Sequence, residues 1–370
     1  MEERRNVTIS YYEVANLFAE QDKIVIKKSR FMGEKTKKQH YVPQCYLKAW
    51  EIDGRHKVYV YDKEKQESRI NNIEDVASGR YFYDFSLRDI YPQDTIDKLL
   101  EEVDGINVDD KIQVIEKALS IGIERPYAHF LTEIIENAGK ASKWCIKNCY
   151  FLRPDSKEAF AGLLAIQYVR TAHVRNMIRD LSDEISQFVK KMGASPQVLS
   201  NYRTLSKTEA KNVHLEMLTQ DKLLSGIAFA FQRLKWVLGI NRTSSRLLTS
   251  DNPICIVPHC NNGPMPMTGL LSKGVEAFIT LSPDYILIMR DGDFHKQHVQ
   301  LDMHYIEIKN NEIIDAYNAF ISIFAERCIY SKDGDFSRLE RIKTEDARLI
   351  QTSQTVLEVG DGFIHSKVNR

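Results

Sequence analysis

The residues able to do chemistry fall in three short polar segments: Gln39–Leu47 (Gln-His-Tyr-Val-Pro-Gln-Cys-Tyr-Leu), Gln167–Thr171 (Gln-Tyr-Val-Arg-Thr) and Ser250–Pro253 (Ser-Asp-Asn-Pro). One side chain from each makes a workable set. His40 can serve as general acid or base near neutral pH, Arg170 can hold an anion and steady developing charge, and Asp251 can orient the imidazole or bind a metal. Tyr41, Gln44, Gln167 and Asn252 could hydrogen-bond a substrate, with Lys37 and Lys38 adding positive charge. The concrete enzyme reading is a hydrolase or nuclease acting on phosphodiesters of RNA or a nucleotide. The competing reading is a non-catalytic binding or interaction module, in which the same groups form a buried polar network and the exposed charge meets a protein partner.

Each segment breaks a local rule, and each break has a structural explanation beside the functional one. Pro43 pushes Val42 out of helical space, so His40 and Tyr41 lie on an extended segment just before a short helix, where a histidine can face an anion or simply cap. On a helix predicted from about Ser156 to Met192, at roughly 100° per residue, Gln167 and Thr171 fall within the apolar stripe of Phe160, Leu163, Leu164, Val174 and Ile178. Two amide-like or hydroxyl groups there need partners, and Arg170 flanks the same face. Asp251 sits between two apolar runs, at the end of a buried strand, and an Asx-turn is its bland alternative.

The elements that must position these groups read as α+β, with a mixed or antiparallel sheet, a large helical middle section and no doubly wound rhythm. Strands are predicted at 56–62, 81–83, 247–249, 254–257, 278–281, 285–289 and 329–330. Helices are predicted within 94–148, at 156–192 with Gly193 as the stop, at 207–238 and at 311–327. Asn261–Gly274, with its glycines and prolines, reads as a loop. The domain reading is a basic lead over 1–38, one α+β domain over 39–335 with a helical insertion at about 94–240, and a C-terminal extension over 336–370.

Composition narrows the classes. The 370 residues are 43% hydrophobic and 28% charged, within the globular range, and Lys plus Arg equal Asp plus Glu at 51 each, so no overall positive field draws in nucleic acid. The charge is nonetheless segregated. Lys23–Lys48 carries eight bases against one acid, a net of +7, whereas Asn71–Glu116 carries twelve acids against four bases, a net of −8. The two blocks either attract one another as solvated faces or leave a basic patch for a ligand. The most apolar helical stretch, around Leu223–Ile240, is interrupted by Gln232, Arg233 and Lys235, so no membrane span is expected. No apolar leader follows the start and the six cysteines are sparse, which points to a cytoplasmic chain with free thiols.

The three segments, with Val58–Asp62, Leu281-Ser282-Pro283, Asn318 and Ala325 in the same order, make the chain resemble domain-of-unknown-function family 4238 from about Gln39 to Ser331. The resemblance implies a shared pattern without a shared reaction, and it implies that His40, Arg170 and Asp251 belong to one site. It names no cofactor. Other motifs are weak: Cys145/Cys149 with Cys255, Cys260 and His259 lack zinc-knuckle spacing, Asp284 with Glu307 and Lys309 copies a nuclease-like pattern that an edge strand would also produce, and there is no phosphate loop or nucleophile elbow.

Overall fold

The computed structural model describes residues 35–90, 93–102, 109–259, 269–345, 354–360 and 363–369. Lys27 and Lys28 of the basic lead, Cys260 and most of the predicted 261–274 loop lie outside the described residues.

Two sheets frame the protein. The larger has the order β10-β5-β9-β8-β7, with β5 (Lys235–Asn241), β7 (Ile254–Pro258), β8 (Val275–Ser282), β9 (Tyr285–Arg290) and β10 (His304–Ile308). Only β10 and β5 run parallel, and β7, β8, β9 and β5 form antiparallel ladders. All eight residues of β8 are buried, so this strand is covered on both faces, as its apolar Phe278-Ile279 and Ile286–Met289 on β9 require. Gly239 of β5 is needed for close approach, because a Cβ there would stand 2.8 Å from both Ile286 and Ile308. The second sheet, antiparallel in the order β3-β2-β11-β6, holds β2 (Lys57–Asp62), β3 (Glu67–Asn72), β6 (Thr249–Ser250) and β11 (Cys328–Ser331). A short pair joins β1 (Lys38–His40) to β4 (Ser78–Arg80).

The middle of the chain is helical, as expected: α1 (Gln44–Leu47) precedes it, then come α2 (Leu87–Ile90), α3 (Gln93–Glu102), α4 (Val114–Ala118), α5 (Glu124–Gly139), α6 (Lys143–Asn148), α7 (Lys157–Val169), α8 (Ala172–Lys191), α9 (Pro196–Asn201), α10 (Lys207–Met217) and α11 (Asp221–Arg233). After the strands follow α12 (Asn311–Phe324), α13 (Ser337–Glu345) and a hairpin of β12 (Gln354–Gly360) and β13 (Phe363–Asn369). From Phe160 to Gln167 every residue of α7 is buried, and Phe160, Leu164 and Ile166 join Trp236 and Leu238 of β5 in the main core. Among the described residues no helix is long and apolar enough to cross a membrane.

Three sequence expectations need correction. The helix predicted over 156–192 is two helices, because Arg170 caps α7 and Thr171, extended at ψ 157°, caps α8 by accepting the Val174 amide. The segment predicted as one helix over 207–238 is two helices, α10 and α11, the second ending at Arg233, and it runs into β5 (Lys235–Asn241), which is buried on both faces after Lys235 and so lacks the alternation that would have marked it. Tyr81–Tyr83 is a turn after β4, with Tyr81 at φ 52°.

Candidate functional site

Arg170 ends α7 inside the core and is 1% exposed. Its Nη2 donates to the His40 carbonyl at 2.6 Å and to Glu124 Oε1 of α5 at 3.0 Å, and its Nε reaches the Tyr83 hydroxyl at 3.4 Å. Tyr83 in turn donates its hydroxyl to the Arg170 carbonyl at 2.8 Å. Glu124 and Tyr83 push the guanidinium above its usual range against the cost of burial. One turn earlier, Gln167 donates to the Tyr41 carbonyl at 3.3 Å, while its Oε1 has no hydrogen-bond partner among the described residues. Gln167 and Arg170 therefore meet the first motif at its main chain.

Asp251 is 2% exposed in the turn after β6. Oδ1 accepts the amide of Glu326 at 2.9 Å, and Oδ2 accepts those of Arg327 at 2.9 Å and Cys328 at 2.8 Å, so the carboxylate closes the turn between α12 and β11. Burial raises its pKa to about 6 despite those amides, with Glu326 pushing the same way and Lys63 opposing. The flanking Ser250 exchanges hydrogen bonds with the main chain of Asn252, whose Nδ2 donates to the Phe324 carbonyl at 3.0 Å. Asn318 brackets the preceding segment, accepting the Leu248 amide at 2.9 Å and donating to the Arg246 carbonyl at 2.8 Å.

His40 is half-buried at the end of β1, and its Nε2 lies 3.1 Å from the Glu74 carbonyl. Burial lowers its pKa and the nearby Arg170 adds to the effect. No hydrogen bond or ion pair joins His40 to Asp251 among the described residues. Tyr41 links the two regions instead: burial first, then the charge of Asp251, pushes its hydroxyl well above the usual value. Gln44 is exposed at the start of α1. Lys37 is exposed, and Lys38 pairs with Asp75, while Lys35 lies 3.8 Å from Asp110. Within the described residues, then, the basic block meets the acidic one.

An open cleft of about 480 Å³ lies elsewhere, lined by Phe82, Arg175, Asn176, Arg179, Lys207, Thr208, Ala210 and Lys211. His40, Arg170 and Asp251 are not among its walls. Sequence reading missed these basic residues. The signal was available: Arg175 and Arg179 stand four apart on α8, and Lys207 and Lys211 four apart on α10, so each pair shares a helix face.

Among the described residues no three His, Cys, Asp or Glu side chains are grouped to hold a metal. Cys255 is buried in β7, and Cys145 and Cys149 lie at α6 and its C-cap. Glu307 and Lys309 pair at 2.9 Å beside the edge strand β10, and Asp284 pairs with Arg246.

The family model described as Protein of unknown function (DUF4238) matches residues 38–335 of this sequence. No curated protein and no solved structure matches the chain.

Proposed function

This chain belongs to the DUF4238 family, and from that premise we propose that it is a binding and interaction module whose shared motifs are scaffold rather than a hydrolytic centre. The observation that carries the reading is the saturation of its two motif charges. Arg170 is spent on Glu124, Tyr83 and the His40 carbonyl, and Asp251 on three main-chain amides. Side chains committed in this way fix α7 to the first motif and the α12–β11 turn to β6, and three of the roughly four lone-pair positions Asp251 could offer as general base or metal ligand are already taken. The open cleft, at α8 and α10, suits recognition of a ligand.

Asp251→Asn tests the reading. The amide keeps the shape but turns one acceptor into a donor facing a buried N–H, so unfolding should become easier by about 1–3 kcal/mol. The wild type should hydrolyse neither RNA nor nucleotide phosphodiesters, with or without added divalent metal. Wild-type hydrolysis that vanishes in a variant of unchanged melting temperature would establish the hydrolase and overturn this proposal.

A further inference from the structure

Building on the reading of the chain as a binding module, we propose that the cleft between α8 and α10 binds a phosphate group, held as the dianion of a phosphomonoester. Four cations line it and they are poorly neutralised. Arg179 has Asp180 at 3.6 Å, but among the described residues no carboxylate lies within ion-pair distance of Arg175, Lys207 or Lys211. The acids nearest Lys211 are already committed: Asp84 accepts from Gln39 and Gln113, and Asp89 accepts from Ser86 and lies 3.3 Å from Lys111. Burial, with Arg175 and Lys111 adding like charge, holds Lys211 down to about 8, and burial holds Arg175 down to about 10. A cluster of cations kept together without a counter-ion is a place where an anion is favoured.

The cleft is also built rather than incidental. The Arg175 guanidinium lies 3.4 Å from the Phe82 ring centroid, donates to the Phe82 carbonyl at 2.9 Å and reaches His214 Nδ1 at 3.2 Å. His214 Nε2 sits 2.8 Å from the Val169 carbonyl, and burial beside Arg175 lowers its pKa to about 3, so the ring is neutral, with its proton on Nε2 and Nδ1 free to accept. Lys211 donates to the Tyr81 carbonyl at 3.1 Å. Both carbonyls come from the turn after β4, where Tyr81 adopts φ of 52°.

The chemistry favours phosphate over carboxylate. Arg179, Lys207, Thr208 and Lys211 share the walls of the cleft, and a tetrahedral dianion offers oxygens and charge to several such donors at once, whereas a carboxylate offers two oxygens and one charge. The open cleft, at about 480 Å³, has room for one phosphate and its ester group.

The experiment titrates the full chain with inorganic phosphate at constant ionic strength, against matched chloride, following melting temperature and heat of binding. The wild type should show a saturable rise in melting temperature. The double variant Lys207→Gln/Lys211→Gln should melt like the wild type in chloride and bind phosphate at least about tenfold more weakly. A nucleoside 5′-monophosphate and a sugar phosphate form separate arms: tighter binding of one than of phosphate identifies the ester, and equal binding assigns the site to the phosphate alone. No saturable response in the wild type, or an equal response in the double variant, overturns the site. Phosphodiester hydrolysis lost in Asp251→Asn would end the binding-module reading without altering the lysine comparison, so the two failures are distinguishable.

Discussion

Arg170 and Arg175 stand five residues apart across the α7–α8 break, and they have opposite fates. Arg170 is sealed in the core with a carboxylate, a carbonyl and a phenol hydroxyl around it. Arg175 lines an open cleft, anchored by a carbonyl, a neutral imidazole and a ring face, none of which cancels its charge. Residue type does not separate these roles. What separates them is the break at Thr171, where α7 has ended on the core-bound Arg170 and a new helix, α8, begins whose Arg175 lines the cleft. A buried charge with charged and polar partners is a fixture of the fold, and a half-buried charge without an opposite one is available to something else.

The comparison breaks most readily at the core end. Arg170→Met should strip Glu124 of its partner and leave the His40 carbonyl unpaired, for a loss of about 3–5 kcal/mol in denaturant unfolding. Arg170→Lys should recover little, because a point charge cannot span Glu124, His40 and Tyr83 together. Asp251→Ala should cost about 3 kcal/mol or slightly more, since three buried amides lose their acceptor at once and water can satisfy only part of the need. A loss below about 1 kcal/mol for either would mean that the network is not what holds these elements together.

Asp251 also predicts a pH dependence of unusual sign. Unfolded aspartate titrates near 3.8 and the buried group near about 6, with Glu326, Lys63, Cys328 and Tyr41 facing it, so between those values the native state holds more protons. Stability conferred by this group therefore falls as pH rises from about 4 to 6, by at most about 1.4 kcal/mol per unit. Asp62 acts the other way and lower down: two arginines and main-chain amides hold it at about 2, so its contribution is present above 3.8 and lost as pH falls toward 2. Urea unfolding from pH 4 to 7 should show the wild type losing stability relative to Asp251→Asn, and parallel curves would remove the buried charge from the account.

Much of this was legible in the sequence, and what was not has physical causes. The α+β class and the strands β2, β6, β7, β8, β9 and β11 followed from alternation, apolar runs and turn residues, as at Lys57–Asp62 after Asp53-Gly54. The polar outliers Gln167, Arg170 and Asp251 announced a network, but its partners did not, because Glu124 and His40 lie 46 and 130 residues from Arg170 and His40 is met at its main-chain carbonyl. The break at Thr171 was hidden because neither glycine nor proline marks it and the apolar period runs on to Val174 and Ile178. Lys235–Ile240 was hidden because a strand covered on both faces has no period of two. The cleft was the hardest: its four bases belong to no motif in the sequence, and only the packing of α8 against α10 sets them against one another.

The smallest expected effect lies at the cleft and completes the comparison. Lys211→Gln removes one hydrogen bond, to Tyr81, and one like charge beside Arg175, so the two changes oppose and stability at pH 7 should move by no more than about 0.5 kcal/mol. The pH profile is more telling than the size. Lys211 has an ordinary value of 10.5 when unfolded and about 8 when folded, so between pH 8 and 10.5 the unfolded chain binds the extra proton and native stability rises with pH. The wild type should gain on Lys211→Gln across that window in chloride buffer. Saturating phosphate, by supplying the missing counter-charge, should shift the start of the gain upward, and the same gain with and without phosphate would show that the anion sits elsewhere.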